Sequence, residues 1–117
     1  MAEKYRRFIL GSRTEFGTPW QPPVDIYRTR NGWLLKFDLA GVRPDDVAVE
    51  MHGCCVSVSG IRRDWALEEG CRHYSMEISY NRFQRSIELP CDVQDARMSL
   101  EYRDGILMVR VITEGRP

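Results

Sequence analysis

The stretch that most restricts the fold of this chain is residues 98–113, MSLEYRDGILMVRVIT. Met98, Leu100 and Tyr102 alternate with polar residues, Asp104-Gly105 interrupts, and an apolar, β-branched run then resumes from Ile106 to Ile112. Period-two alternation places one set of side chains on a single face of an extended strand. Asp-Gly readily supplies the positive φ angles that a tight hairpin turn requires. The stretch is therefore read as two antiparallel strands joined by a short turn.

The same signature recurs upstream. Pro22-Pro23 forces the chain extended, and residues 24–29 then read as a short strand with Val24, Ile26 and Arg28 on one face. Asn31-Gly32 marks a turn. Residues 33–39 put Trp33, Leu35, Phe37 and Leu39 on one face, the pattern of a half-buried antiparallel strand. After the turn at residues 40–44, Asp45-Asp46 is placed to cap a helical turn or break the loop. Val47, Val49 and Met51 align in the next segment, and His52-Gly53 turns into residues 54–59. There Cys54, Val56 and Val58 face one way, and Cys55, Ser57 and Ser59 the other. Residues 62–73 form a charged loop enclosing Trp65-Ala66-Leu67, and loops this long without structure of their own are usually functional. Residues 74–80 alternate through Tyr74, Met76, Ile78 and Tyr80, and Asn81-Arg82 breaks the run. Residues 83–89 resume it with Phe83, Ile87 and Leu89, and Arg85 falls on that same apolar face, where its charge must be paired or must reach past an edge. Seven to eight short, evenly spaced strands without a long helix predict an all-β, antiparallel two-sheet sandwich.

A chain of 117 residues is one domain. It divides into a flexible N-terminal arm over 1–21, a domain over 22–113 and a short tail over 114–117. The arm carries Phe8, Ile9, Leu10, Phe16 and Trp20, apolar groups suited to touching partners. Lys and Arg number 17 against 17 Asp and Glu, so no net field draws the chain to nucleic acid or to an anionic membrane. Of the basic residues only Lys4 and Lys36 are lysine. Arginine is the better partner for planar, partly buried carboxylate pairs, which suits protein interfaces. No apolar run is long enough to span a bilayer and no signal peptide opens the chain, so a cytoplasmic location is expected. Cys54, Cys55, Cys71 and Cys91 show neither a CxxC pair nor a disulfide framework. With His52 and His73 they lack the spacing of a structural zinc site, so neither metal nor cofactor is expected. Cys54 or Cys55 could still act as a redox switch. Nucleophile-elbow, phosphate-loop and zinc-protease motifs are missing, and Asp45-Asp46 and Glu68-Glu69 read as solvated surface pairs, which argues against an enzyme.

Several segments together resemble the α-crystallin domain of bacterial and plant-type small heat-shock proteins. Residues 23–27, PVDIY, resemble its opening, and 38–42, DLAGV, are similar to the family's Asp-Leu-Pro-Gly-Val with Ala40 replacing proline. Residues 56–60, VSVSG, resemble its strand ending in glycine, though Ile61 stands where glutamate is usual. Residues 77–90, EISYNRFQRSIELP, are similar to its aromatic-Gly-x-Phe-x-Arg segment closing in Leu-Pro, with Asn81 in the glycine position. Gly105-Ile106-Leu107 matches Gly-Val-Leu, and Leu100 replaces a preferred alanine. The order and spacing of these pieces over residues 22–113 carry the resemblance.

The resemblance implies an immunoglobulin-like sandwich and an ATP-independent chaperone, or holdase, for non-native client proteins. It implies a client or peptide groove formed by Val47, Val49, Met51, Met98 and Leu100; the plain alternative is that these are inward core residues. It also implies a homodimer in which the loop 62–73 carries a strand exchanged onto the partner. Trp65 and Leu67 would then meet the partner's first strand at Val24 and Ile26, with Arg85 as the interface arginine. Larger oligomers in this family use a C-terminal Ile-x-Ile tail. This sequence ends four residues after Thr113 without one, which implies dimers or small species, or a trimmed chain. Phe8-Ile9-Leu10 could substitute as a docking peptide. The alternative reading is a CS-type co-chaperone or protein-interaction sandwich, which would be expected to lack the exchange loop.

Overall fold

The computed structural model describes residues 19–113. The expected arm up to residue 18 and the tail 114–117 lie outside the described residues. Seven strands form: β1 (Val24–Thr29), β2 (Gly32–Asp38), β3 (Val47–His52), β4 (Cys55–Ile61), β5 (Arg82–Glu88), β6 (Arg97–Arg103) and β7 (Ile106–Ile112). One sheet has the order β1-β2-β7-β6, the other β3-β4-β5, and every pairing is antiparallel. Among the described residues the only helical element is a single 3-10 turn, Pro44–Asp46; Asp45 and Asp46 lie inside it and neither caps it, Arg43 standing at the cap position without a side-chain hydrogen bond.

The alternation sets the register. Leu35 lies opposite Val109 and Phe37 opposite Leu107, so the inward residues of β2 and β7 meet as cross-strand pairs. Val58 on β4 faces Val49 of β3 on one side and Arg85 of β5 on the other. Leu35, Phe37, Leu39, Val56, Val58, Val93 and Val109 are completely removed from solvent and form one core between the sheets. Full burial of a Leu, Val or Phe side chain is worth about 1.5–3 kcal/mol, so this single layer is the dominant stabilising term.

The hairpin at residues 98–113 closes as its sequence indicates. Asp104 and Gly105 both have positive φ, 55° and 82°, as a two-residue hairpin turn requires. The Leu39 amide donates to the Gly105 carbonyl at 2.8 Å, tying this turn to the end of β2. Gly60 answers a different demand. A Cβ there would run into the Asp46 carbonyl oxygen and the Phe83 ring, so the crossing of β4 beneath the 3-10 turn admits no side chain.

The structure corrects one expected strand. Residues 74–80 carry the alternating pattern but join neither sheet, and the whole stretch from 62 to 81 runs without a strand. Tyr74, Met76, Ile78 and Tyr80 are exposed, Tyr74 completely. A strand needs a ladder partner to satisfy its backbone, and in this sequence order no edge of the same chain accepts residues 74–80. The other bounds differ from the pattern by a residue or two, as strand ends do.

Candidate functional site

An open sheet edge presents unpaired N–H and C=O groups, a template for another chain. The topology leaves β1 and β6 at the edges of one sheet, and β3 and β5 at the edges of the other. Of these, β5 is partly covered. The Trp20 amide donates to the Arg82 carbonyl at 3.0 Å, and the Gln84 amide donates to the Trp20 carbonyl at 3.0 Å, so Trp20 pairs with Phe83 in parallel. The Trp20 ring meets Phe83 edge-on at a centroid separation of 5.6 Å, and the Arg62 guanidinium lies over its face at 3.8 Å.

The five expected groove residues fall on two of the edge strands. Val47, Val49 and Met51 line the inward side of β3, and Met98 that of β6; all four are half-buried and pack against the core. Leu100 also faces inward on β6, opposite Val109, yet stays 51% exposed. An inward residue on an edge strand has neighbours on one flank only. That is why these side chains share core packing and solvent contact at once.

The residues expected at a dimer contact lie on the opposite edge and in the long loop. On β1, Val24 is half-buried, whereas Ile26 and Tyr27 are exposed. Trp65 and Leu67 are each 64% exposed, with the Arg43 guanidinium 6.0 Å above the Trp65 ring. Arg85 is half-buried in the middle of β5, and its Nη1 donates to the Pro22 carbonyl at 2.9 Å, so the guanidinium binds the segment leading into β1.

Two features escaped the sequence reading. One is the apolar side of residues 74–80, whose alternation was legible while its lack of a partner was not. The other is Arg62, at the base of the long loop. Its Nε donates to the Ser79 carbonyl at 2.8 Å and its Nη1 to the Ala40 carbonyl at 3.0 Å, while the Asn81 carbonyl accepts from its amide at 3.0 Å. One arginine thus fastens both ends of the loop to the turn after β2. In a chain this rich in arginine, nothing in the sequence marks it out.

The titratable groups offer little chemistry. Burial pushes the Cys54 thiol up, with Asp92 and Glu88 adding to it, which disfavours a reactive thiolate near neutral pH. The four cysteines are free. Among the described residues no cluster of three His, Cys, Asp or Glu side chains is arranged to hold a metal ion. Nor is any helix there long and apolar enough to cross a membrane.

Comparison with known proteins agrees with this geometry. The chain is 27% identical over 90 residues to small heat shock protein C2 of Rickettsia felis, covering 77% of this chain and 58% of that protein. It is 32% identical over 112 residues to the 19.0 kDa class II heat shock protein of Oryza sativa, covering 91% and 63% respectively. The chain thus spans about three-fifths of the length of these relatives. Among solved structures, hspA from Xanthomonas axonopodis superposes with a TM-score of 0.68 at 29% identity, over 83% of this chain and 97% of that one. The profile of the Hsp20/alpha crystallin family matches residues 25–117, which takes in β2 to β7 and all of β1 but its first residue, and the chain belongs to that family, the small heat-shock proteins.

Proposed function

We propose that the protein is an ATP-independent holdase that keeps partly unfolded cytoplasmic proteins soluble, working as a dimer or a larger assembly. The observation that carries the reading is the half-buried apolar lining of the two edge strands β3 and β6, with Leu100 open to solvent among inward-facing residues. Unfolding chains expose extended apolar segments that aggregate through edge pairing and hydrophobic contact. An apolar strand edge offers such segments backbone partners and a place for alternate side chains. Nothing in that exchange consumes a nucleotide. Val47, Val49, Met51, Met98 and Leu100 are the proposed client contacts.

For the dimer, the resemblance implies an exchanged strand carried by the loop 62–73. The alternation and exposure of Tyr74, Met76, Ile78 and Tyr80 favour residues 74–80 as the strand, with 62–73 as its tether. It would pair with β1 of a second copy, where Ile26 and Tyr27 are exposed, while Trp65 and Leu67 add apolar contact and Arg85 steadies the base of β1.

The test is suppression of light scattering from a heat-labile reporter enzyme without ATP. The wild-type chain should hold the reporter soluble at ratios near one to one. Leu100→Glu with Met98→Glu should need roughly tenfold more protein, as expected when about 1.4 kcal/mol of binding is lost. Failure of the wild-type chain to suppress aggregation at any ratio would refute the holdase reading.

A further inference from the structure

The ladder between β4 and β5 has the sequence to run further than it does. Its register pairs Cys55 with Glu88 through to Ile61 with Arg82, and the Arg62 amide adds one more rung on the Asn81 carbonyl at 3.0 Å. Continued without a break, the same register would set Arg63 opposite Tyr80, Trp65 opposite Ile78, Leu67 opposite Met76 and Glu69 opposite Tyr74. These positions fall between the hydrogen-bonded rungs, where facing side chains approach most closely, and Trp65–Ile78 and Leu67–Met76 are wholly apolar pairs. Residues 70–73 would make the turn, and Gly70 already has a positive φ of 87°. Yet residues 62–81 form no strand, and Trp65, Leu67, Met76 and Ile78 are all exposed.

Rungs of an antiparallel ladder recur at every second residue, so the next one belongs to the Asp64 amide and the Ser79 carbonyl. That carbonyl is already engaged, because the Arg62 Nε donates to it at 2.8 Å. The guanidinium is itself held from two further sides, by the Ala40 carbonyl at 3.0 Å from Nη1 and by the Trp20 ring, whose centroid lies 3.8 Å away. A side chain thus supplies the donor that the backbone of residue 64 would have brought. With its acceptor satisfied by a fixed arginine, the ladder has no rung to add, and it ends.

We propose, resting on the exchanged-strand reading of the dimer, that Arg62 is the positioning residue that halts the β4–β5 ladder and so keeps residues 74–80 open to β1 of a second copy. Without it, residues 63–69 and 74–80 zip into one long hairpin. Trp65, Leu67, Met76 and Ile78 then cover one another, and the chain hides the groups through which it would dimerise. Closure within the chain competes with pairing between chains. A chain closed for about nine-tenths of the time binds its partner about tenfold more weakly.

Light scattering on a sizing column and hydrogen exchange followed by mass spectrometry, both on the full chain, test it. Arg62→Ala should raise the dimer dissociation constant by roughly tenfold or more. In the diluted monomer it should also slow exchange at residues 74–80 relative to wild type, a gain of protection that a mere loss of contacts does not produce. Adding Ala66→Pro, which removes the amide of the rung after Asp64, should reopen the hairpin and restore both the dimer and the faster exchange. Arg62→Met keeps the apolar stem and should give the same two readings should the alanine variant lose its fold. Dimers of wild-type affinity in the Arg62 variants, monomers whose residues 74–80 exchange as fast as in wild type, or no rescue by Ala66→Pro each overturn the proposal and leave the exchanged-strand reading standing. A wild-type chain that is monomeric at every concentration overturns both.

Discussion

Tyr102 shows how one atom can join distant parts of the chain. Its hydroxyl donates to the Val42 carbonyl at 2.6 Å and also lies 2.8 Å from the Leu39 carbonyl, pinning β6 to the turn that follows β2. The alternation identified Tyr102 as an inward residue of the hairpin. It could not name the two carbonyls, because the loops that bring them together are irregular. Tyr102→Phe should deprive the Val42 carbonyl of this donor, while the Leu39 carbonyl keeps the Val42 amide at 3.0 Å, and cost about 1 kcal/mol, read as a drop of several degrees in Tm. Burial raises the Tyr102 pKa, and the negative charge of Asp38 adds to it. The folded state therefore holds this proton to higher pH than the unfolded chain does. Stability from the neutral phenol is complete below about pH 10 and falls as pH climbs through the raised folded value. Thermal melts between pH 9 and 11.5 should show that decline, and Tyr102→Phe should flatten it.

At the scale of elements, every strand that pairs within the chain was legible. Period-two alternation, Asp104-Gly105 and the prolines around residues 22 and 90 located seven strands. Residues 74–80 carry an equally clear pattern, yet they form none. Alternation reports that a segment suits a pleated, half-buried face; it does not report which chain supplies the neighbouring ladder. The groove itself came from the resemblance, and alternation supplied only the facing of its residues. Val47, Val49, Met51, Met98 and Leu100 read as inward residues, but only the strand order reveals that β3 and β6 lie at edges. If residues 74–80 serve as an exchanged strand, Met76→Asp with Ile78→Asp should convert the dimer to monomer. Light scattering on a sizing column would then report half the wild-type mass, with the far-ultraviolet spectrum of the sandwich retained. Dimers that persist at low micromolar concentration would remove this segment from the interface.

For the whole molecule, the two sheets share one core, so they should lose structure together. Phe83 belongs to that core; it touches Trp20 and sits where Gly60 has no room for a side chain. Phe83→Ala should cost about 3–5 kcal/mol, a large fraction of the 5–15 kcal/mol typical of a domain. Urea unfolding followed by tryptophan fluorescence and by circular dichroism should shift to lower midpoints in both signals alike. Two separated transitions would show that the sheets are independent units. The sandwich architecture was readable because strand count and spacing survive small errors in strand bounds. Strand order was not, because it depends on which edges long-range contacts select.

The parallel bridge at Trp20 gives the three-stranded sheet a direction. With β5 partly occupied by the chain's own backbone, a further strand is accepted more readily beside β3 than beside β5. A sheet open on both flanks can be extended without limit by identical units, which is the geometry of a fibre. Partly occupying one flank works against such propagation, so the Trp20 bridge handicaps this sheet as a seed for polymerisation.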